Sequence, residues 1–70
     1  MLRTRVLSSS IASIGYDPQT TALEIEFDGG GIYQYYGVPI GVYNALMYAN
    51  SKGTYFASNI KPSYRCLMVG

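Results

Sequence analysis

Between Thr21 and Tyr35 the chain carries its strongest constraint. Leu23, Ile25 and Phe27 alternate with Ala22, Glu24 and Glu26, three glycines follow at positions 29–31, and a second alternation, Tyr33-x-Tyr35, comes after them. A period of two puts apolar side chains on one face of a strand and polar ones on the other, and glycines between two such runs mark a hairpin. Two registers fit. A two-residue loop at Gly29-Gly30 pairs Phe27 with Ile32 and sets Tyr33 and Tyr35 on the glutamate face. A three-residue loop with a left-handed Gly30 pairs Phe27 with Gly31, Ile25 with Tyr33 and Glu24 with Gln34. A slip of one residue moves every side chain to the opposite face, and the second register gathers Leu23, Ile25, Phe27, Tyr33 and Tyr35 into one apolar face. Apolar clustering favours it.

Upstream, Ile11 to Tyr16 reads as another strand, with Ile11, Ser13 and Gly15 on one side and Ala12, Ile14 and Tyr16 on the other, stopped by Asp17-Pro18. After Tyr36 the period changes. Pro39 suits the first turn of a helix, where its missing N–H costs nothing, and holds Val38 extended. Pro39 to Ala49 then forms a short helix with Val42, Tyr43, Leu46, Met47 and Ala49 available for one apolar stripe. Asn50 or Gly53 can close it in a left-handed conformation, and Ser51 or Thr54 can cap a second helix that ends near Ile60, before Pro62. The expected fold is α+β: a three-stranded antiparallel meander followed by two short helices packed on one face. Leu23, Ile25, Phe27, Leu46 and Phe56 are its expected core.

Seventy residues make a single domain, 1–70, whose small core needs every large side chain. Cys66 is the only cysteine and has no partner within the chain, which suits a reducing, cytoplasmic setting. No run approaches the ~20 apolar residues of a membrane span and none reads as a signal peptide, so no membrane is expected as a partner. Charged residues are 13% of the chain, low beside the usual ~25%. All four acids, Asp17, Glu24, Glu26 and Asp28, lie in one central segment, whereas Arg3, Arg5, Lys52, Lys61 and Arg65 lie towards the two ends.

Enzyme chemistry is narrowed by subtraction. The chain has no histidine, which removes Ser-His and Cys-His nucleophiles and, with a single cysteine, any zinc site. Glu24 and Glu26 point the same way, but on the face expected to be exposed, where carboxylates are solvated rather than poised for acid–base work. The run Asp28-Gly29-Gly30-Gly31 lacks a following lysine and leads into a strand, so it reads as a turn and not as a phosphate loop. No base is spaced to activate Ser8-Ser9-Ser10. Cys66 beside Arg65 lies in an apolar tail and reads as packed or free. No catalytic residues, metal site or cofactor are expected.

Eight of the residues are tyrosines, more phenols than so small a domain can bury with every hydroxyl satisfied. At least one exposed aromatic cluster is therefore expected. Lys52 and Gly53 fall at the junction of the two helices, where helix N–H groups suit an anion. Tyr55 follows, and Lys61, Tyr64 and Arg65 come one helix later. Rings for stacking and cations for phosphates make these six residues the candidate nucleic-acid or nucleotide site.

The residues Ile14-Gly15-Tyr16-Asp17, Leu23-x-Ile25-x-Phe27, Tyr33-x-Tyr35, Val38-Pro39, Val42-Tyr43, Leu46, Ala49, Ser51-Lys52-Gly53-x-Tyr55-Phe56, Ile60-Lys61 and Tyr64 together resemble the KTSC domain family, over about residues 6–64. That family is a small module found alone in bacterial and phage proteins and at the C-terminus of some lysyl-tRNA synthetases. The resemblance implies no established activity; the tie to a tRNA enzyme points to RNA. Two functions follow: a non-catalytic module for RNA or a nucleotide ligand, or a module that engages a protein partner or a second copy of itself through an exposed tyrosine and a patch containing Met68. The near-neutral charge favours the latter. The phage members add two variants, a host-directed inhibitor and a sequesterer of small ligands.

Overall fold

A computed structural model describes all seventy residues. The expected α+β class holds, but the sheet has five strands rather than three. They are β1 (Thr4–Arg5), β2 (Ile11–Asp17), β3 (Ala22–Phe27), β4 (Ile32–Tyr35) and β5 (Cys66–Met68). Each pairs antiparallel with the next, in the order β1-β2-β3-β4-β5. Helices α1 (Ile40–Tyr48) and α2 (Lys52–Asn59) are inserted between the last two strands. The two added strands lie at the edges and are too short, at two and three residues, to show a period.

The hairpin takes the register that clusters the apolar residues: Leu23 faces Tyr35, Glu24 faces Gln34 and Ile25 faces Tyr33, while the Phe27 N–H donates to the Gly31 carbonyl at 3.1 Å. The left-handed glycines are Gly29 and Gly31, at φ of 75° and 76°, not Gly30. The Gly30 N–H donates to the Phe27 carbonyl, so Gly29 occupies the third position of a four-residue turn, where a type II turn demands positive φ.

Strict alternation fails in β2. Ile11 faces Phe27 but Ser13 faces Glu26, so Ala12 is the extra residue of a β-bulge. Ile11 therefore shares the core face with Ile14 instead of joining Ser13 and Gly15. The core is Ile11, Ile14, Leu23, Ile25, Tyr35, Val38, Leu46, Phe56 and Ile60, with both helices contributing from the same side of the sheet. Phe27, expected among the most buried, is half-buried. It lies at the core's rim, edge-on to Tyr33 and Phe56 at 5.7 and 5.4 Å between ring centroids.

Helix α1 starts one residue later than the sequence suggests, because Pro39 is extended (ψ 150°) and serves as its N-cap residue. Its carbonyl accepts the first intrahelical bonds from Val42 and Tyr43. Neither Asn50 nor Gly53 is left-handed; α1 instead ends on an extended Ala49. Ser51 caps α2, its hydroxyl accepting the Thr54 N–H at 3.3 Å.

Thr21 is the one non-glycine residue with positive φ, at 57°. It ends the β2–β3 turn, and its carbonyl accepts the Val38 N–H that leads into α1. A β-branched residue in this region carries about 1–2 kcal/mol of steric cost. Thr21→Asn, which tolerates the conformation, is expected to stabilise the fold by about 1 kcal/mol; a urea midpoint equal to or below the parent's would contradict that.

Candidate binding surface

The six residues singled out in the sequence do not form one site. They divide between the two ends of α2, which its eight residues hold on the order of 12 Å apart. At the first end the Lys52 ammonium donates to the Ala49 carbonyl at 3.1 Å, tying down the end of α1. Gly53 is half-buried and lies close to the Ser10 hydroxyl, which a Cβ there would meet at 2.5 Å and have to turn aside. Tyr55 packs against the core. At the other end Lys61 and Arg65 are exposed, and Tyr64 between them packs against the core. No exposed aromatic cluster forms. The ring pairs are Tyr16–Tyr43, Phe27–Tyr33, Phe27–Phe56 and Tyr35–Phe56, none of them involving the exposed Tyr36 or the 87% exposed Tyr48.

The face of the sheet turned away from the helices carries a polar chain that the sequence does not announce. The Arg3 guanidinium pairs with the Glu24 carboxylate and donates to the Ser13 hydroxyl at 3.0 Å. Ser13 donates to Glu26 at 2.7 Å. The Gln34 amide donates to Glu24 at 2.8 Å, and the Tyr36 hydroxyl donates to Gln34 at 2.9 Å. Glu24, expected on an exposed face, is only 6% exposed, because β1 brings Arg3 over it. The close approach of β1 depends on Gly15, where a Cβ would stand 2.6 Å from the Leu2 carbonyl oxygen. Burial alone would push the Glu24 carboxyl up, but its bonds to Gln34 and Arg3, with the Arg3 charge, outweigh burial and hold it below the ordinary glutamate value. A carboxylate engaged in this way is held ionised. No group of three His, Cys, Asp or Glu side chains comes together to hold a metal ion.

Past Tyr36 the character of this face changes. Leu67 lies opposite Gln34, so it shares the polar chain's face yet carries none of its chemistry. Tyr36, Arg65, Cys66 and Leu67 line a shallow depression at this end of the sheet. Leu67 and Met68 are about equally exposed, at 60% and 59%. Tyr35, which pairs with Cys66, is buried, and its hydroxyl is pushed up to about 12 by burial first and by the neighbouring Cys66 second. Of these residues the sequence pointed to Arg65 and to Met68. The signal that was available is the apolar run Cys66-Leu67-Met68-Val69, which has the composition of a strand without the length to show alternation.

The architecture defines a small α+β module, an antiparallel five-stranded meander with a helical pair inserted before its last strand. Residues 7–64 match the KTSC domain family, and the chain belongs to it. The crystal structure of a KTSC domain protein from Yersinia pestis is similar with a TM-score of 0.96 at 46% sequence identity, covering 99% of this chain and 97% of that one. An uncharacterized protein of Stutzerimonas stutzeri is 44% identical over 64 residues, 91% of this chain and 90% of its own length. A lysine–tRNA ligase of a Nostoc species is 44% identical over 57 residues, which is 81% of this chain but 10% of the ligase. No helix is long and apolar enough to cross a membrane.

Proposed function

We propose that this domain is a non-catalytic binding module whose recognition surface is the β5 edge with the adjoining depression, and whose ligand is another polypeptide. The observation that carries the reading is the composition of that edge: β5 is neutral and exposed along its whole length, and Tyr36 and Arg65 flank it. An open strand edge recognises extended peptide through main-chain hydrogen bonds, while neighbouring side chains supply selectivity. An exposed single thiol at Cys66 suits a reducing, cytoplasmic compartment. A host-directed inhibitor would be one form of such a module.

A second reading, binding of RNA or a nucleotide, is supported by the likeness to a lysine–tRNA ligase and by the exposed cations Lys61 and Arg65 on either side of Tyr64. The polypeptide reading is the better supported because Lys52, Gly53 and Tyr55 are engaged within the fold. One titration separates the two, following backbone amide resonances as a pool of short peptides with alternating apolar residues is added, and then single-stranded RNA at two salt concentrations. The expected result is displacement of Tyr36 and Cys66–Val69 by peptide and no response to RNA. RNA binding centred on Lys61 and Arg65, weakening by about 0.7 logarithmic unit per tenfold rise in salt for each phosphate contact, would replace the first reading with the second.

A further inference from the structure

We infer that the partner the β5 edge fits is β5 of a second copy of this chain, paired antiparallel about a two-fold axis through Leu67, so that two five-stranded sheets become one. The inference rests on the polypeptide-binding reading and names the occupant of the same edge.

The register determines which backbone groups face outward. Val69 donates to the Ile32 carbonyl and Tyr36 donates to the Arg65 carbonyl, while Gln34 lies opposite Leu67 between them. Residues 65, 67 and 69 therefore turn their main-chain groups towards β4. In an antiparallel ladder the alternate residues turn theirs away, so Cys66 and Met68 present N–H and C=O to solvent. Neither has a backbone bond among the turns and loops.

This spacing is self-complementary. With Leu67 on the axis, Cys66 of one copy faces Met68 of the other, and each pair exchanges an N–H and a C=O in both directions. Leu67 meets its own counterpart, and side chains at such positions approach most closely. Along the shared line Arg65 lies opposite Val69, so no like charges meet.

The contrast between the two edges points the same way. The β1 edge is two residues long and includes the charged Arg5, the charge and brevity that keep an edge from pairing. The β5 edge has neither proline nor charge within its strand. One competent edge per molecule closes on itself as a dimer, whereas two would propagate into a filament. A three-residue ladder with Leu67, Met68, Val69 and Tyr36 around it falls below the roughly 1,200 Å² of a standard stable interface. The dimer is therefore weak and reversible.

Sedimentation equilibrium from about 10 μM to about 1 mM, the range in which an interface of this class dissociates, tests it. The mass is expected to rise from 7.7 kDa towards twice that value. The amides of Cys66 and Met68 should become protected from hydrogen exchange over the same range. Met68→Pro removes an outward N–H where proline is tolerated on an edge strand, and is expected to remain monomeric with an unchanged thermal midpoint. Should that variant fold poorly, Leu67→Lys, at an exposed position, is expected to give the same monomer. A parent mass of one chain at the highest concentration overturns the inference. So does a dimer that survives both substitutions or leaves Cys66 and Met68 unprotected. If the parent stays monomeric while the peptides still displace Cys66–Val69, the self-pairing fails and the polypeptide-binding reading stands.

Discussion

Phe56→Ala is expected to lower stability by about 3 to 5 kcal/mol. Its ring lies edge-on to Tyr35 and Phe27, at 5.2 and 5.4 Å between centroids, so it joins α2 to both β3 and β4. Truncation removes the apolar area and both aromatic contacts, and it leaves a void that rigid sheet residues do not fill. A domain of this size has on the order of 5 kcal/mol in total, so much of the population would be unfolded at room temperature. Urea denaturation measures this directly, and a midpoint equal to the parent's would show that α2 does not depend on the sheet.

Arg3→Ala is expected to cost about 2 to 3 kcal/mol. Removing one partner of a buried ion pair costs about 3 to 5 kcal/mol; here the loss is smaller because the Arg3 side chain is itself 27% exposed and Gln34 retains its bond to Glu24. The pH dependence has a definite sign. The folded carboxyl of Glu24 lies below its ordinary value, so its contribution is complete above the unfolded value of about 4.3 and is lost as the pH falls through the folded value. In Arg3→Ala the bond and charge that lower the carboxyl are gone and it rises from its folded value, so protonation costs the variant less and its stability deficit against the parent should shrink as the pH falls below about 4.3. A deficit of the same size at neutral and at acid pH would mean that Arg3 does not govern the charge of Glu24.

The central hairpin was legible because Leu23, Ile25 and Phe27 form a run long enough for its period to be read, and because only one register gathers those residues with Tyr33 and Tyr35. The bulge at Ala12 was not, since one inserted residue leaves no mark on composition while reversing the face of Ile11. The edge strands escaped for a different reason. Two or three residues have no period, and β5 acquires its strand character only by pairing with β4. The burial of Glu24 followed from the same gap, because without β1 no group was available to cover it. Lys52 and Gly53 were visible as residues of a helix junction, but their engagement with Ala49 and Ser10 belongs to tertiary contacts no local pattern encodes.

The insertion of both helices between β4 and β5 has a consequence for the order of assembly. The hairpins joining β2, β3 and β4 close over short spans, but pairing Tyr35 with Cys66 closes a segment of about thirty residues, at an entropic cost on the order of 3 kcal/mol for a flexible chain. The last strand is therefore expected to gain its place after the helices have folded and shortened that path. As a three-residue, fully exposed edge strand, β5 is an element whose occupancy an added contact would raise. Whatever binds this edge lengthens the time for which the sheet is complete.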